Sequence, residues 1–132
     1  MQIVPATVEH FLAVHPAELA SLPNVIELIR EGAYAAVDDD GVWCVGGIVD
    51  MCEGRAIAWT LLNRSNAAKL PFVHRVVKGV VESSHFRRIE LVADIRFPRA
   101  DEWALRLGFS FEGILRSYFP DGSQAHLYSR VK

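Results

Sequence analysis

The chain has few cysteines, no excess of basic charge and no long apolar run. Its two cysteines, Cys44 and Cys52, are too few for a disulfide framework and lack the Cys/His companions of a zinc site. The five histidines are scattered without ligand spacing, so we expect no metal. A net charge of −2 argues against nucleic-acid binding. No apolar run approaches the roughly 20 residues that span a bilayer.

The first residues, Met1 to Pro5, lack the basic flank and apolar core of a signal peptide. We therefore expect a cytoplasmic protein. A chain of 132 residues is long enough for one domain, residues 1–132, that buries roughly two thirds of its unfolded surface.

Apolar periodicity predicts a mixed α/β fold in the order β-α-α-β-β-β-α-β-α-β-β, with helices on both faces of the sheet. Thr7 can cap the first helix, the second begins near Pro23, and Pro71 suits the first turn of the third. Gly46 and Gly47 indicate a bulge or a close approach by another backbone or a ligand. Strands are expected over 3–6, 33–37, 42–49, 55–62, 89–95 and in a closing hairpin.

The last third of the chain carries the most specific pattern. A short helix through Trp103 closes on Leu107-Gly108-Phe109 and feeds a strand that contains Glu112-Gly113 and Leu115-Arg116. This pattern resembles the C-terminal half of the GNAT acyltransferases (Gcn5-related N-acetyltransferases). The resemblance implies a GNAT-like fold and transfer of an acetyl group from acetyl-coenzyme A to an amine.

The resemblance also implies where acetyl-coenzyme A would bind. In the family it sits in a V where the strand matching 55–62 splays from the strand matching 89–95. The pyrophosphate rests on amides at the start of the following helix, where free N–H groups and the helix dipole favour an anion. The positions that match these coenzyme contacts are Thr60, Leu61, Leu62, Arg64, Ala67, Ala68, Lys69 and Phe97.

Two features depart from the family pattern. The loop 63–71 has no glycine, and Pro71 removes an amide donor, although Arg64 and Lys69 could offset phosphate charge. Ala104 stands where the family has the tyrosine that protonates the departing thiolate. Because a thiol pKa near 8.5 makes the thiolate a tolerable leaving group, the expected result is a slow enzyme.

Acyl transfer to an amine also needs a base, and the strand 55–62 contains no carboxylate. The candidates are Asp94, Glu112 and, as alternatives, His126 or Tyr128. Tyr118 is expected to line the acceptor cleft.

A second interpretation stays open beside the enzyme. The sequence has Trp-Thr-Leu-Leu at 59–62, His-Arg at 74–75, Arg-Arg-Ile-Glu at 87–90 and Trp-Ala-x-x-Leu-Gly-Phe at 103–109. This pattern is similar to GNAT-like proteins of tailed phages, some of them internal virion components, which would act through protein contacts. The expected partners are therefore an amine acceptor or virion proteins, with a homodimer as a further option, and neither nucleic acid nor membrane.

Overall fold

The computed structural model describes residues 1–14, 25–97 and 99–132. The described helices are α1 (Val8–Ala13), α2 (Val25–Arg30), α3 (Leu70–Ser83) and α4 (Ala100–Arg106), with a 3₁₀ turn over Ala67–Lys69. The described strands are β1 (Gln2–Pro5), β2 (Ala33–Asp38), β3 (Gly41–Cys52), β4 (Arg55–Leu62), β5 (Arg88–Asp94), β6 (Ser110–Leu115) and β7 (Ala125–Val131).

The described strands form one mixed sheet in the order β1-β2-β3-β4-β5-β7-β6, with β4 and β5 parallel and the other neighbours antiparallel. The predicted fold class and element order are confirmed. Thr7 caps α1 as expected, because its hydroxyl accepts the amide of His10. The expected helix start at Pro23 lies outside the described residues.

Core residues on the two faces come from alternate strand positions. On one face, Phe11 and Val14 pack with Val45 and Leu61 beneath α1 and α2. On the other face, the side chains of α3 and α4 pack over β5 and β7; the buried members are Val81, Ile89, Ala93, Ala104, Leu107, Phe109 and Tyr128. Helices therefore pack on both faces of the sheet, as the sequence pattern predicts.

The glycine pair in β3 marks a close approach rather than a bulge. The register shifts lie between Ala36 and Val37 and between Asp50 and Cys52, so of the two predicted alternatives, a bulge or a close approach, the structure shows the close approach. A Cβ at Gly46 would lie 2.8 Å from the carbonyl oxygen of Trp59 on β4. The absence of a side chain at Gly46 therefore allows β3 and β4 to approach closely at this point.

The parallel pair β4–β5 is joined at one end only. Its register runs Arg55↔Arg88, Ala56↔Ile89 and Ile57↔Glu90, and the ladder ends there. Both strands continue, but β4 then pairs only with β3 and β5 with β7 among the described strands. The sheet thus has a split between two diverging strands, with a closed end at Arg55 and an open end at Leu62 and Asp94.

A network of ion pairs fastens the closed end. The mostly buried carboxylate of Glu90 accepts hydrogen bonds from Arg55 Nε at 2.6 Å and from Arg88 Nε at 2.9 Å. Arg88 also donates to both oxygens of Glu112, at 2.7 and 2.9 Å, and Glu112 accepts the hydroxyl of Ser129. Arg88 and Ser129 hold the pKa of Glu112 at about 2.

We expect Gly46→Ala to lower the free energy of unfolding by about 1–3 kcal/mol, because the new methyl group meets a backbone oxygen. Gly79→Ala is the matched control: Gly79 lies within α3 with open space around it, so the change should stabilise by about 0.5–1 kcal/mol. Urea unfolding of the two variants measures both effects. A neutral Gly46→Ala would contradict the close approach of β3 and β4.

The closed-end network also predicts how stability depends on acid. The pKa of Glu112 is lowered from 4.5 to about 2 in the folded protein, so its contribution is present above pH 4.5 and is lost as pH falls toward 2. We expect Arg88→Met to flatten the loss of stability over that window. Arg75→Met removes the same charge from an exposed site on α3, where the guanidinium lies over Phe72, and should leave the slope unchanged. Unfolding titrations across this pH range test the difference, and parallel curves for the two variants would contradict the assignment.

Candidate functional site

The free edge of β4 beyond Ile57 forms one wall of the split. Thr60, Leu61 and Leu62, the predicted coenzyme contacts on this strand, pair with Gly46, Val45 and Cys44 of β3. Because antiparallel pairing uses alternate residues, other positions of the strand direct their N–H and C=O groups toward the split. This edge can hydrogen-bond an extended amide-containing ligand and can donate to an oxyanion.

The loop after β4 is fastened to β3 by Asn63. The amide of Asn63 donates to Trp43 O at 3.0 Å, and its side-chain Nδ2 donates to Val42 O at 2.9 Å. Its side-chain oxygen accepts the amide of Ser65 at 3.0 Å. The loop that would face a diphosphate is therefore built on internal hydrogen bonds.

The amides at the start of α3 are used within the same loop. Ala68 N donates to the side chain of Asn66 at 3.1 Å, and Lys69 N donates to Asn66 O at 3.1 Å. Leu70 N donates to Ala67 O, and Pro71 has no N–H. Positions 68 to 71 are thus committed, whereas a diphosphate cradle needs unused donors.

Lys69 lies in a cluster with the β2–β3 hairpin. Its ammonium donates to Asp38 at 2.7 Å and to Asp40 at 2.9 Å, and it lies 5.3 Å from the ring centre of Trp43. The hydrogen bond that Lys69 donates to Asp38 raises the pKa of Lys69. Lys69, with Trp43 Nε1, lowers the pKa of Asp38 to about 2. Lys69, a predicted phosphate ligand, is therefore already paired with two carboxylates.

Arg64 and Phe97, both predicted to contact the coenzyme, meet at the open end. The Arg64 guanidinium lies 4.5 Å from the ring centre of Phe97, which joins the loop after β4 to the segment after β5. Farther along, Trp103 Nε1 donates to His74 Nδ1 at 2.9 Å and links α4 to α3. The first contact therefore joins the segments that follow β4 and β5, and the second joins the helices that come after them.

Asp94 ends β5 at the open end of the split. Its carboxylate, 12% exposed, accepts from Arg96 Nε and from the Arg96 guanidinium at 2.6 Å. The Arg96 guanidinium also lies 4.7 Å from the ring centre of Phe119, and Tyr118 contacts that ring edge-on. Asp94 and the exposed Tyr118 are therefore brought to the same end of the sheet by Arg96.

Glu112 is placed away from this end. Its bidentate partner is Arg88, which lies at the closed end of the β4–β5 ladder. A carboxylate with a pKa of about 2 is also a weak proton acceptor at neutral pH. Glu112 is therefore a poor candidate for the base, because it lies away from the open end and its pKa is lowered.

His126 and Tyr128, the alternative bases, share Asp101 on α4. Tyr128 donates its hydroxyl to Asp101 Oδ1 at 2.6 Å, and His126 Nδ1 lies 2.7 Å from the same oxygen. Burial and Asp101 raise the pKa of Tyr128 to about 12. Sequence reasoning missed Asp101, because the helix that carries it meets the strand 125–131 only in the folded protein.

Ala104 is 1% exposed in the core between α4 and the sheet. A tyrosine at this position would place a much larger side chain in a buried cluster, and overpacking of this kind is destabilising. The alanine is therefore part of the packing of this chain, and the position offers no acid to a departing thiolate.

These residues fit the two halves of acetyl-coenzyme A unequally. The split between β4 and β5 fits the thioester and its amide-bearing pantetheine arm, because β4 has a free edge beyond Ile57. The start of α3 fits the diphosphate poorly, because its amides and Lys69 are already bonded.

Within the described ranges, no three His, Cys, Asp or Glu side chains group so as to hold a metal ion. The helices described for this chain include none long and apolar enough to cross a membrane.

No protein-family model matches the chain, and no curated protein matches it. Solved structures do. A Bacillus subtilis acetyltransferase in complex with CoA is 12% identical with a TM-score of 0.74, covering 99% of this chain and 97% of that one. A Sinorhizobium meliloti phosphinothricin acetyltransferase in complex with AcCoA is 12% identical with a TM-score of 0.71, covering 98% and 87%.

A chimera of the Vibrio cholerae spermidine N-acetyltransferase is 14% identical with a TM-score of 0.63; the alignment covers 76% of this chain and 66% of the chimera. At these identities the likeness concerns the fold. Together with the split sheet and the helices that flank it, it confirms the fold that the resemblance in the C-terminal third implies. The chain has the fold of the GNAT superfamily.

Proposed function

We propose that the protein is an N-acetyltransferase that moves an acetyl group from acetyl-coenzyme A to an amine. The observation that carries this proposal is the end of the β4–β5 ladder after Ile57↔Glu90. The resulting split offers a thioester a free backbone edge within the sheet. The solved structures with CoA or AcCoA bound support the choice of donor.

The reaction is direct attack of the amine on the thioester carbonyl. A C–N bond forms, the C–S bond breaks, and the sulfur leaves as the thiolate of coenzyme A. Backbone N–H groups on the free edge of β4 stabilise the oxyanion while the carbonyl is tetrahedral. Because the thiol pKa is near 8.5, the thiolate can leave without an acid at the position of Ala104.

The amine nitrogen must lose a proton, and Asp94 is the base that we propose. Its carboxylate lies at the open end of the split, beside the segment that carries Tyr118, whose exposed ring would line the acceptor side. Arg96 positions the Asp94 carboxylate through two of its nitrogens. The acceptor itself, cytoplasmic location and a homodimer stay predictions.

A second candidate function is a GNAT-fold protein without transferase chemistry that acts through protein contacts. The committed amides at positions 68 to 70, the missing N–H at Pro71 and the packed Ala104 favour it. The suggested phage origin and virion partners stay predictions from the sequence pattern.

Binding of the donor separates these two functions. We expect acetyl-coenzyme A at 100 times its dissociation constant to raise the free energy of unfolding by about 2.7 kcal/mol, because the ligand binds only the folded state. A thermal-shift titration measures this. The absence of any shift at millimolar acetyl-coenzyme A would favour the protein without transferase chemistry.

The assignment of the base is tested by two isosteric variants. We expect Asp94→Asn to lower kcat by about 10²–10⁴-fold, because the amine proton loses its acceptor. The matched control is Glu112→Gln, which removes a carboxylate at the closed end and should leave kcat close to that of the parent enzyme. Release of the coenzyme A thiol, followed across a panel of amines, gives the rates. Equal loss in both variants would show that Asp94 is not the base.

A further inference from the structure

We infer that the acyl donor is recognised through its thioester and pantetheine arm, and that its adenosine diphosphate half contributes little to binding. This inference rests on the proposed function, because the donor would bind in the same split between β4 and β5. The inference adds which part of the donor supplies the binding energy.

The first step is the state of the backbone donors. A diphosphate at a helix start is held by unused N–H groups. Here Ala68 N and Lys69 N donate to Asn66, and Leu70 N donates to Ala67 O. Pro71, next in the chain, has no N–H. To bind a phosphate, the amides of residues 68, 69 and 70 would each have to give up an existing hydrogen bond, and residue 71 has no donor to offer.

The second step is the rigidity of the loop. Asn63 fastens it to β3 through its backbone amide and its side-chain amide, at 3.0 and 2.9 Å. The side-chain oxygens of Asn63 and Asn66 each accept an amide two residues later in the chain. The side-chain oxygen of Asn66 thus accepts an amide that an open helix start would leave for a phosphate oxygen.

The third step is the charge at this end of α3. The Lys69 ammonium lies between Asp38 and Asp40, at 2.7 and 2.9 Å, and its side chain is only 21% exposed. A diphosphate that recruited Lys69 would leave these two carboxylates without their shared cation. The hairpin carboxylates therefore compete with any phosphate for Lys69.

The free edge of β4 shows the opposite condition. The ladder to β5 stops at Ile57, and the strand continues for a further five residues beside the split. The pantetheine arm contains amide groups that can pair with such an edge as a strand would. Recognition is therefore concentrated at the reactive end of the donor.

The test compares coenzyme A, pantetheine and 3′-phosphoadenosine 5′-diphosphate by calorimetric titration of the whole chain. We expect pantetheine to bind within about tenfold of coenzyme A, a difference of about 1.4 kcal/mol, with no binding of the nucleotide alone. A diphosphate held by two charge-assisted hydrogen bonds would instead make coenzyme A about 100-fold tighter or more, which would overturn the inference and leave the proposed function intact. Binding of neither thiol would overturn both.

The role of Lys69 is tested separately. We expect Lys69→Ala to leave the affinity for coenzyme A within about threefold, a difference under 1 kcal/mol. A tenfold or larger loss that spares pantetheine would show that Lys69 holds the diphosphate and would overturn the inference.

A pair of charge-matched variants tests the competition. Asp40→Asn removes one carboxylate from Lys69 and should improve the affinity for coenzyme A relative to pantetheine by up to about fivefold. Asp39→Asn removes the same charge one residue earlier in the hairpin and should leave the ratio unchanged. Equal improvement in both would overturn the competition for Lys69 and assign the effect to overall charge.

Discussion

The structure depends on a pair of parallel strands that hold together at one end and part at the other. Three register pairs join β4 to β5, and the buried Glu90 with its two arginines fastens that end. Beyond Ile57 each strand keeps only its antiparallel neighbour among the described strands. This divergence positions the candidate site, because it determines which side chains lie at the open end of the split and which lie at the paired end.

Two of the candidate carboxylates, Glu112 and Asp94, lie at opposite ends of the split. At the closed end, Glu112 completes a network that stabilises the sheet and has no opening beside it. At the open end, Asp94 is held by Arg96 close to the segment that carries Tyr118. Carboxylates that look alike in the sequence therefore differ in role, because one faces a strand pair and the other a gap between strands.

The order of elements was predictable because periodicity is local: alternate burial marks the strands, and the buried Val73 and Val81 mark the inner face of α3. The missing glycines of the 63–71 loop were also visible in the sequence. The partners of Lys69 were not, because Asp38 and Asp40 lie about thirty residues away and meet it only in the folded sheet. The shared carboxylate of Asp101 was missed for the same reason, since His126 and Tyr128 reach it across a strand and a helix.

The Asp38–Lys69 contact has a mechanical consequence. Trp43 Nε1 donates to the same Asp38, so the turn of the β2–β3 hairpin, the second strand of that hairpin and the beginning of α3 meet at one carboxylate. A displacement of the turn is transmitted to the helix through contacts shorter than 3 Å rather than through a flexible connection. We therefore expect the hairpin and the start of α3 to open together, so that hydrogen exchange in one accompanies exchange in the other.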